Sequence, residues 1–139
     1  MFDVSIYLKQ SYHGIRPKDA KVCGVVEYQT RKGPATYSFT KKAENITAHR
    51  LALLGIVEAM KILKKPCELY ISTDDKYIVD MWDQGLPDRW QQSGWKKSDG
   101  KEVRNADLWQ EIKNAPHFVN MRFSVKNEYA NWQEWELRE

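Results

Sequence analysis

The sequence predicts a single α/β domain: a mixed five-stranded sheet, made of a three-strand antiparallel meander plus two parallel strands, flanked by helices. Three observations predict it. From the start to Phe39 the chain reads as three extended runs separated by turn chemistry. A stretch with apolar residues at helical spacing follows. After it, short apolar runs alternate with helical segments, an order that places later strands beside the meander through helix crossovers and packs helices on the sheet faces.

Each element has its own signature. Asp3 to Leu8 is rich in β-branched and aromatic residues and reads as the first strand. A loop carrying His13, Gly14 and Pro17 leads to a second strand near Val22 to Gln29. Arg31, Lys32, Gly33 and Pro34 are turn residues, so Ala35 to Phe39 becomes the third strand of the meander. Thr47 is placed to cap a helix whose apolar residues include Leu51, Leu54, Ile56, Met60 and Leu63, with Pro66 expected to end it. Glu68 to Ser72 suits a buried strand and runs into the polar turn Thr73, Asp74, Asp75. Tyr77 to Trp82 is read as a short helix broken by Gly85 and Pro87. Asp88 to Arg104 carries two tryptophans and several lysines without periodicity and is expected to protrude. Ala106 to Lys113 is helical, with Asp107 at its positive end. His117 to Lys126 alternates as a fifth strand, and Asn131 to Arg138 forms a short last helix.

At 139 residues there is room for one domain, 1–139, with no repeat or linker. Hydrophobic residues at 42% and charged residues at 29% match a folded globular chain and exclude a disordered one. No apolar run approaches the roughly 20 residues that span a bilayer, and the first residues lack the pattern of a signal peptide. Cys23 and Cys67 lie in apolar runs without metal or redox spacing, so they are expected as buried, reduced thiols of a cytoplasmic protein with no membrane partner. A net charge of +3 permits a polyanionic partner without requiring one.

Several local sequences resemble the ribonuclease H family. Ile71-Ser72-Thr73-Asp74-Asp75-Lys76-Tyr77 is similar to its strand-end S/T-D-S-x-Y motif. Gly94-Trp95-Lys96, followed by Val103 to Gln110, resembles the GWK…V-N-DLW run of the bacterial enzymes. Thr47 to Leu54 resembles the T-x-x-R-A-E-L start of the family's first helix. These matches fall in the family's order from about Val4 to Lys126. The resemblance implies the fold named above. It also implies an ancestry of cleaving the RNA strand of RNA–DNA hybrids with two divalent cations held by four carboxylates. Two dications a few ångströms apart repel, and only a dense anionic cluster holds them.

Position by position, the resemblance implies that this cluster is depleted. Ile6-Tyr7-Leu8-Lys9-Gln10-Ser11 stands where the family has I-Y-T-D-G-S, so Lys9 replaces an aspartate. Arg50-Leu51-Ala52-Leu53 stands against R-A-E-L, so Ala52 replaces a glutamate. Asp74 is retained. The fourth position is not recognisable, with Glu134 and Glu136 as weak candidates for it. A slip of one residue changes neither loss, since Leu8, Gln10, Arg50 and Leu51 are all non-acidic. Asp3 lies about 20 Å too early on an extended strand. Catalysis by the two-cation route is therefore expected to be lost. No cofactor is expected, and Mg²⁺ or Mn²⁺ enters only if the protein is an active nuclease. With the first and fourth strands adjacent, Lys9 is expected either to form an ion pair with Asp74 or simply to face solvent.

Trp90, Trp95, Lys96, Lys97, Lys101 and Arg104 are the strongest nucleic-acid candidates, because the bacterial enzymes hold the hybrid through a basic, tryptophan-bearing protrusion here. Lysines would contact phosphates; the competing reading makes the tryptophans structural wedges that hold the protrusion against the domain. Asn45 and Thr47 either touch the nucleic-acid backbone or cap the helix, and capping is the favoured reading. His13, His49 and His117 show no zinc-ligand spacing. Trp132, Glu134, Trp135 and Glu136 read as a docking helix with a possible protein-binding face. The function that follows is a catalytically degenerate binder of RNA–DNA hybrid or duplex. The alternatives are an active metal-dependent nuclease with a rebuilt site, or a protein-interaction scaffold.

Overall fold

The register of β1 against its two neighbours organises the computed structural model, which describes residues 2–123 and 127–138. Strand β1 (Phe2–Gln10) pairs antiparallel with β2 (Lys18–Thr30) and parallel with β4 (Cys67–Thr73). Strand β3 (Gly33–Ile46) lies antiparallel on β2, and β5 (Phe118–Phe123) parallel on β4, giving the order β3-β2-β1-β4-β5. This is the expected meander plus two parallel strands. Burial alternates along β1, with Val4, Ile6, Leu8 and Gln10 enclosed. Residues at this period point to one face of a sheet, and that face receives helix α1 (Ala48–Met60).

Helix α1 sits close to the sheet because Gly55 faces it. A Cβ at Gly55 would stand 2.8 Å from Val22 Cγ2 and 3.3 Å from Leu8 Cδ2. Helices α2 (Lys76–Asp83), α3 (Leu86–Gln92) and α4 (Ala106–Asn114) complete this layer, with Ile78, Trp109 and Ile112 fully enclosed. The opposite face is covered at β1 and β2 by α5 (Ala130–Leu137). Its anchor is Gln133, which is fully buried and donates through Nε2 to the Tyr7 carbonyl at 2.9 Å and the Cys23 carbonyl at 3.2 Å. Cys23 and Cys67 are both buried and free, and burial pushes both thiols up.

Several boundaries differ from expectation. Strand β3 continues seven residues past Phe39 as an exposed edge, where Lys41, Lys42 and Glu44 hide the alternation that marks a half-buried strand. Helix α1 ends at Met60, well before Pro66; Ile62 and Leu63 donate to the carbonyls of Ala59 and Met60, tightening the last turn. Gly85 and Pro87 start a helix rather than ending structure: Gly85 takes a left-handed φ of 70°, and Pro87 fits the first turn of α3, where its missing N–H is not needed. The segment expected to protrude from Asp88 onward is therefore helical at first. The expected end of the fifth strand, residues 124–126, lies outside the described residues.

His117 holds the start of β4: its Nδ1 accepts from the Cys67 backbone N–H at 3.2 Å. Burial lowers its pKa below the ordinary value of 6.5. The unfolded chain therefore takes up a proton that the folded chain resists, and stability is lost as pH falls from about 6.5 toward the depressed folded pKa. Urea titrations between pH 7.5 and 5 are expected to show this loss, and His117→Asn, which keeps an acceptor that does not titrate, is expected to flatten it. Gly55→Ala is expected to lower stability by about 1 kcal/mol despite better helix propensity, because the stiff Val22 side chain cannot yield; thermal unfolding measures it.

Candidate nucleic-acid interface

The parallel pairing of β1 and β4 brings their C-terminal ends together, so Gln10 and the Thr73-Asp74-Asp75 turn meet at one edge of the domain. Gln10 is 3% exposed. Its Nε2 donates to the carbonyls of Tyr12 and Ala48, both at 2.9 Å, which ties the strand end to the start of α1. Its backbone N–H donates to Asp74 Oδ2 at 3.3 Å. The same oxygen lies 2.8 Å from His13 Nε2. Asp74 Oδ1 is buried and has no hydrogen-bond partner among the described residues.

The expected Lys9–Asp74 ion pair does not form: no ion pair of Lys9 occurs among the described residues, and His13 takes its place. The strands are neighbours as expected, but the loop between β1 and β2 folds back over their ends. The Ser11 N–H donates to the Lys21 carbonyl at 2.9 Å, and the Ala48 N–H to the Gly14 carbonyl at 3.4 Å. That return delivers an imidazole to Asp74. Next door, Asp75 is 5% exposed and caps α2, accepting from the Ile78 N–H at 3.2 Å. Its second oxygen lies 2.7 Å from His49 Nδ1, and the His49 ring stacks on Tyr77 with centroids 4.3 Å apart. Two of the three histidines thus serve consecutive aspartates.

Thr47 is the N-cap of α1, its hydroxyl accepting from the Arg50 N–H at 3.4 Å. Asn45 is exposed in β3 with a left-handed φ of 49° and does not cap; its N–H donates to Asp19. Arg50 reaches across to α4, bonding Asp107 through two nitrogens at 3.0 and 2.7 Å. This guanidinium holds the Asp107 carboxyl below the usual carboxylate range.

The basic segment forms a small hairpin. Lys96 bridges Glu102, the Lys97 N–H donates to the Lys101 carbonyl at 2.8 Å, and the Val103 N–H to the Trp95 carbonyl at 2.9 Å. Trp90 and Trp95 are half-buried and pack against the core, Trp90 lying 6.1 Å from the enclosed Trp109. The rings brace the hairpin, while Lys96, Lys97, Lys101 and Arg104 stay exposed. Between hairpin, α1 and α2 lies a cavity of about 470 Å³, whose lining includes Thr47, His49, Tyr77, Trp90, Lys97 and Arg104. Thus the structure brings Thr47, Trp90, Lys97 and Arg104 to one cavity. It adds His49 and Tyr77, which sequence reading missed; the readable signal was Asp75, an N-cap residue directly before a helical run.

A pair of divalent cations does not fit these side chains. Lys9 and Ala52 stand where the family resemblance implies carboxylates, and Ala52 is fully enclosed. Glu134 and Glu136 lie on α5, and no three His, Cys, Asp or Glu side chains among the described residues gather into a donor set.

A mixed 3-2-1-4-5 sheet, a meander joined to a parallel pair with helices on both faces, is a ribonuclease H-like α/β fold. A family model for RNase H matches residues 3–127, and the chain belongs to the ribonuclease H family. It is 32% identical over 136 residues to the ribonuclease H of Acetivibrio thermocellus, covering 94% of this chain and 89% of that one. It is 41% identical over 80 residues to the ribonuclease H of Caldicellulosiruptor saccharolyticus, where the match spans 58% of this chain and 55% of the relative. The crystal structure of LC9-RNase H1, described as a type 1 RNase H with the type 2 active-site motif, superposes with a TM-score of 0.75 at 25% identity, covering 99% of this chain and 69% of that one.

Thr47→Ala is expected to cost about 1 kcal/mol of stability, with Thr47→Ser restoring it, as read by urea unfolding.

Proposed function

We propose that this protein is a ribonuclease H-like binder of RNA–DNA hybrid or duplex nucleic acid that does not cleave by the two-cation route. The observation that carries the reading is the state of Asp74: one carboxylate oxygen is committed to His13 and the Gln10 N–H. The basic hairpin stands intact, and its Lys97 and Arg104 share a cavity with Thr47 and His49 at the start of α1. Lys96, Lys97, Lys101 and Arg104 contact phosphates, Asn45 and Thr47 lie along the backbone track at the start of α1, and Trp90 and Trp95 hold the hairpin in place. Lysine–phosphate contacts release counterions, so affinity falls as salt rises. Free, buried Cys23 and Cys67 support a reducing, cytoplasmic setting; no helix among the described residues is long and apolar enough to cross a membrane.

A second reading, an active nuclease with a rebuilt site, draws on the buried, unpartnered Asp74 Oδ1. In that case Mg²⁺ or Mn²⁺ would take Asp74 as a ligand.

Labelled RNA–DNA hybrid incubated at low salt with Mg²⁺ or Mn²⁺ separates the readings. Retention without cleavage is expected, with Lys96→Ala and Lys97→Ala each weakening it and each lowering the slope of log affinity against log salt by about 1. Cleavage that disappears in Asp74→Asn would establish the nuclease instead. Neither retention nor cleavage would favour a protein-interaction scaffold, for which Trp132 and Trp135, 40% and 57% exposed on α5, are the available surface.

A further inference from the structure

The sheet outlasts the helix that covers it. Helix α1 stops at Met60, while β1, β2 and β3 run on. In an antiparallel pair, opposed residues share a face, and along a strand every second residue does. Val4 opposes Tyr28, and Val26 opposes Tyr37; Val4 and Val26 both belong to the core beneath α1. Phe2, two residues before Val4, falls on this face too. Phe2, Tyr28 and Tyr37 therefore form a row on the α1 face, just past the end of the helix. They are 46%, 40% and 54% exposed. Together with the loop after α1 they line a groove of about 300 Å³, rimmed by Lys64 and Lys65.

The charge around this row is mainly positive, with Glu111 on α4 the exposed carboxylate that shares a separate pocket with Lys64 and Lys65. Lys64 and Lys65 are exposed in the loop, and Arg31 and Lys32 are exposed on the turn that ends β2 and begins β3. None of the four forms an ion pair among the described residues. The other nearby carboxylates are engaged or turned away. Glu58 is paired with Lys61 at 3.2 Å, Glu27 is on the other face bonded to the Tyr129 hydroxyl, and Asp3 alternates to that other face as well. Exposed aromatic faces ringed by unpaired cations match a ligand that offers flat rings and regularly spaced negative charge.

We infer that Phe2, Tyr28 and Tyr37, with Lys64, Lys65 and the Arg31–Lys32 turn, form a binding surface for single-stranded nucleic acid. Bases stack on the rings while phosphates follow the cations. A duplex is the wrong ligand, because its base faces are covered by their neighbours, whereas a single strand can splay them onto a sheet. An anionic protein segment would use the cations but gain nothing specific from three rings in a row. The surface lies at the N-terminal ends of the parallel pair β1 and β4, and Asp74 at the C-terminal ends. Eight steps of about 3.3 Å separate Phe2 from Gln10, so the two regions stand about 26 Å apart. The chain can hold a single strand here while the basic hairpin holds something else.

The test uses the full chain and fluorescence anisotropy of labelled oligothymidylate and oligouridylate about a dozen nucleotides long, at low salt. Both are expected to bind, and the two probes show whether the sugar matters. Tyr28→Ala with Tyr37→Ala is expected to weaken binding by about tenfold or more, and Tyr28→Phe with Tyr37→Phe to restore it, since the ring rather than the hydroxyl does the stacking. Lys64→Glu with Lys65→Glu, on an exposed loop where folding is not at issue, is expected to weaken binding and flatten its salt dependence. Excess unlabelled hybrid is expected to leave the oligothymidylate bound. Three results would overturn the inference: no binding of either probe; binding untouched by these four positions but abolished by Lys96→Ala with Lys97→Ala; or a self-associated chain that the two tyrosine truncations render monomeric without changing oligothymidylate affinity. Loss of hybrid retention alone bears on the hairpin and leaves this surface standing.

Discussion

The parallel pairing of β1 with β4 is the constraint on which the rest of the molecule depends. Among the described residues it is the strand pairing that joins the antiparallel meander to the second half of the sheet, and it fixes what lies at each end. At the C-terminal end it sets the Gln10 N–H beside the Asp74 carboxylate, and the buried Gln10 side chain then ties the strand to the first turn of α1. Those amide bonds are worth more for what they prevent than for what they add. The buried Gln10 amide left without its acceptors at Tyr12 and Ala48 would cost about 1–3 kcal/mol, so the loop, strand end and helix start hold one another in place. At the N-terminal end the same pairing aligns Phe2 with Cys67, where the loop after α1 meets the sheet.

How Asp74 is satisfied follows from that geometry. Lys9 lies within β1 with Cys23 opposite it on β2, one residue before the Gln10 N–H that does reach the carboxylate. His13 sits on a loop pinned at both sides, by Ser11 to Lys21 and by Gly14 to Ala48, and the loop carries its ring to Asp74 Oδ2. A ring delivered by a short, doubly anchored loop loses less conformational entropy on pairing than a lysine with four rotatable bonds. Asp75 is held differently. It serves as cap and histidine partner at once, so the two consecutive aspartates organise the loop after β1 and the first turns of α1 and α2.

Much of this was legible in the sequence, and the failures are instructive. The element order, the cap at Thr47, the burial of both cysteines and the exposure of the basic segment rest on local patterns: alternation, capping chemistry, apolar flanks and charge runs. The adjacency of the first and fourth strands came from the family resemblance, and the hairpin from the structure alone. The length of β3 was not legible, because an edge strand needs no buried face and so carries no alternation. The start of α3 was hidden by reading Gly85 and Pro87 as breakers, when a left-handed glycine followed by proline opens a helix equally well. Gln133 shows a further limit. Its polarity argues for the surface, yet it is the residue that fastens α5 to the sheet, because its amide reaches backbone carbonyls on β1 and β2. The pairing of His13 and His49 with Asp74 and Asp75 joins residues 61 and 26 positions apart, and no local pattern marks such contacts.

The hairpin and the strand end are coupled through one helix. Arg50, in the first turns of α1, grips Asp107 and Asn105 at the start of α4, directly after the basic hairpin. His49, beside it in sequence, grips Asp75. Successive residues of α1 thus fix the hairpin on one side and the aspartate turn on the other, and the cavity lies between them. Trp109 supports the same arrangement from below, packed by Trp82 and Trp90 and fully enclosed. None of these contacts requires a carboxylate at Lys9 or Ala52. The scaffold that positions cations for a polyanion is therefore mechanically independent of the groups that would hold metal ions, and a chain can change the second without disturbing the first. Ala52 is the clearest case: it has no exposed surface and packs as part of the hydrophobic core, a role that needs no charge.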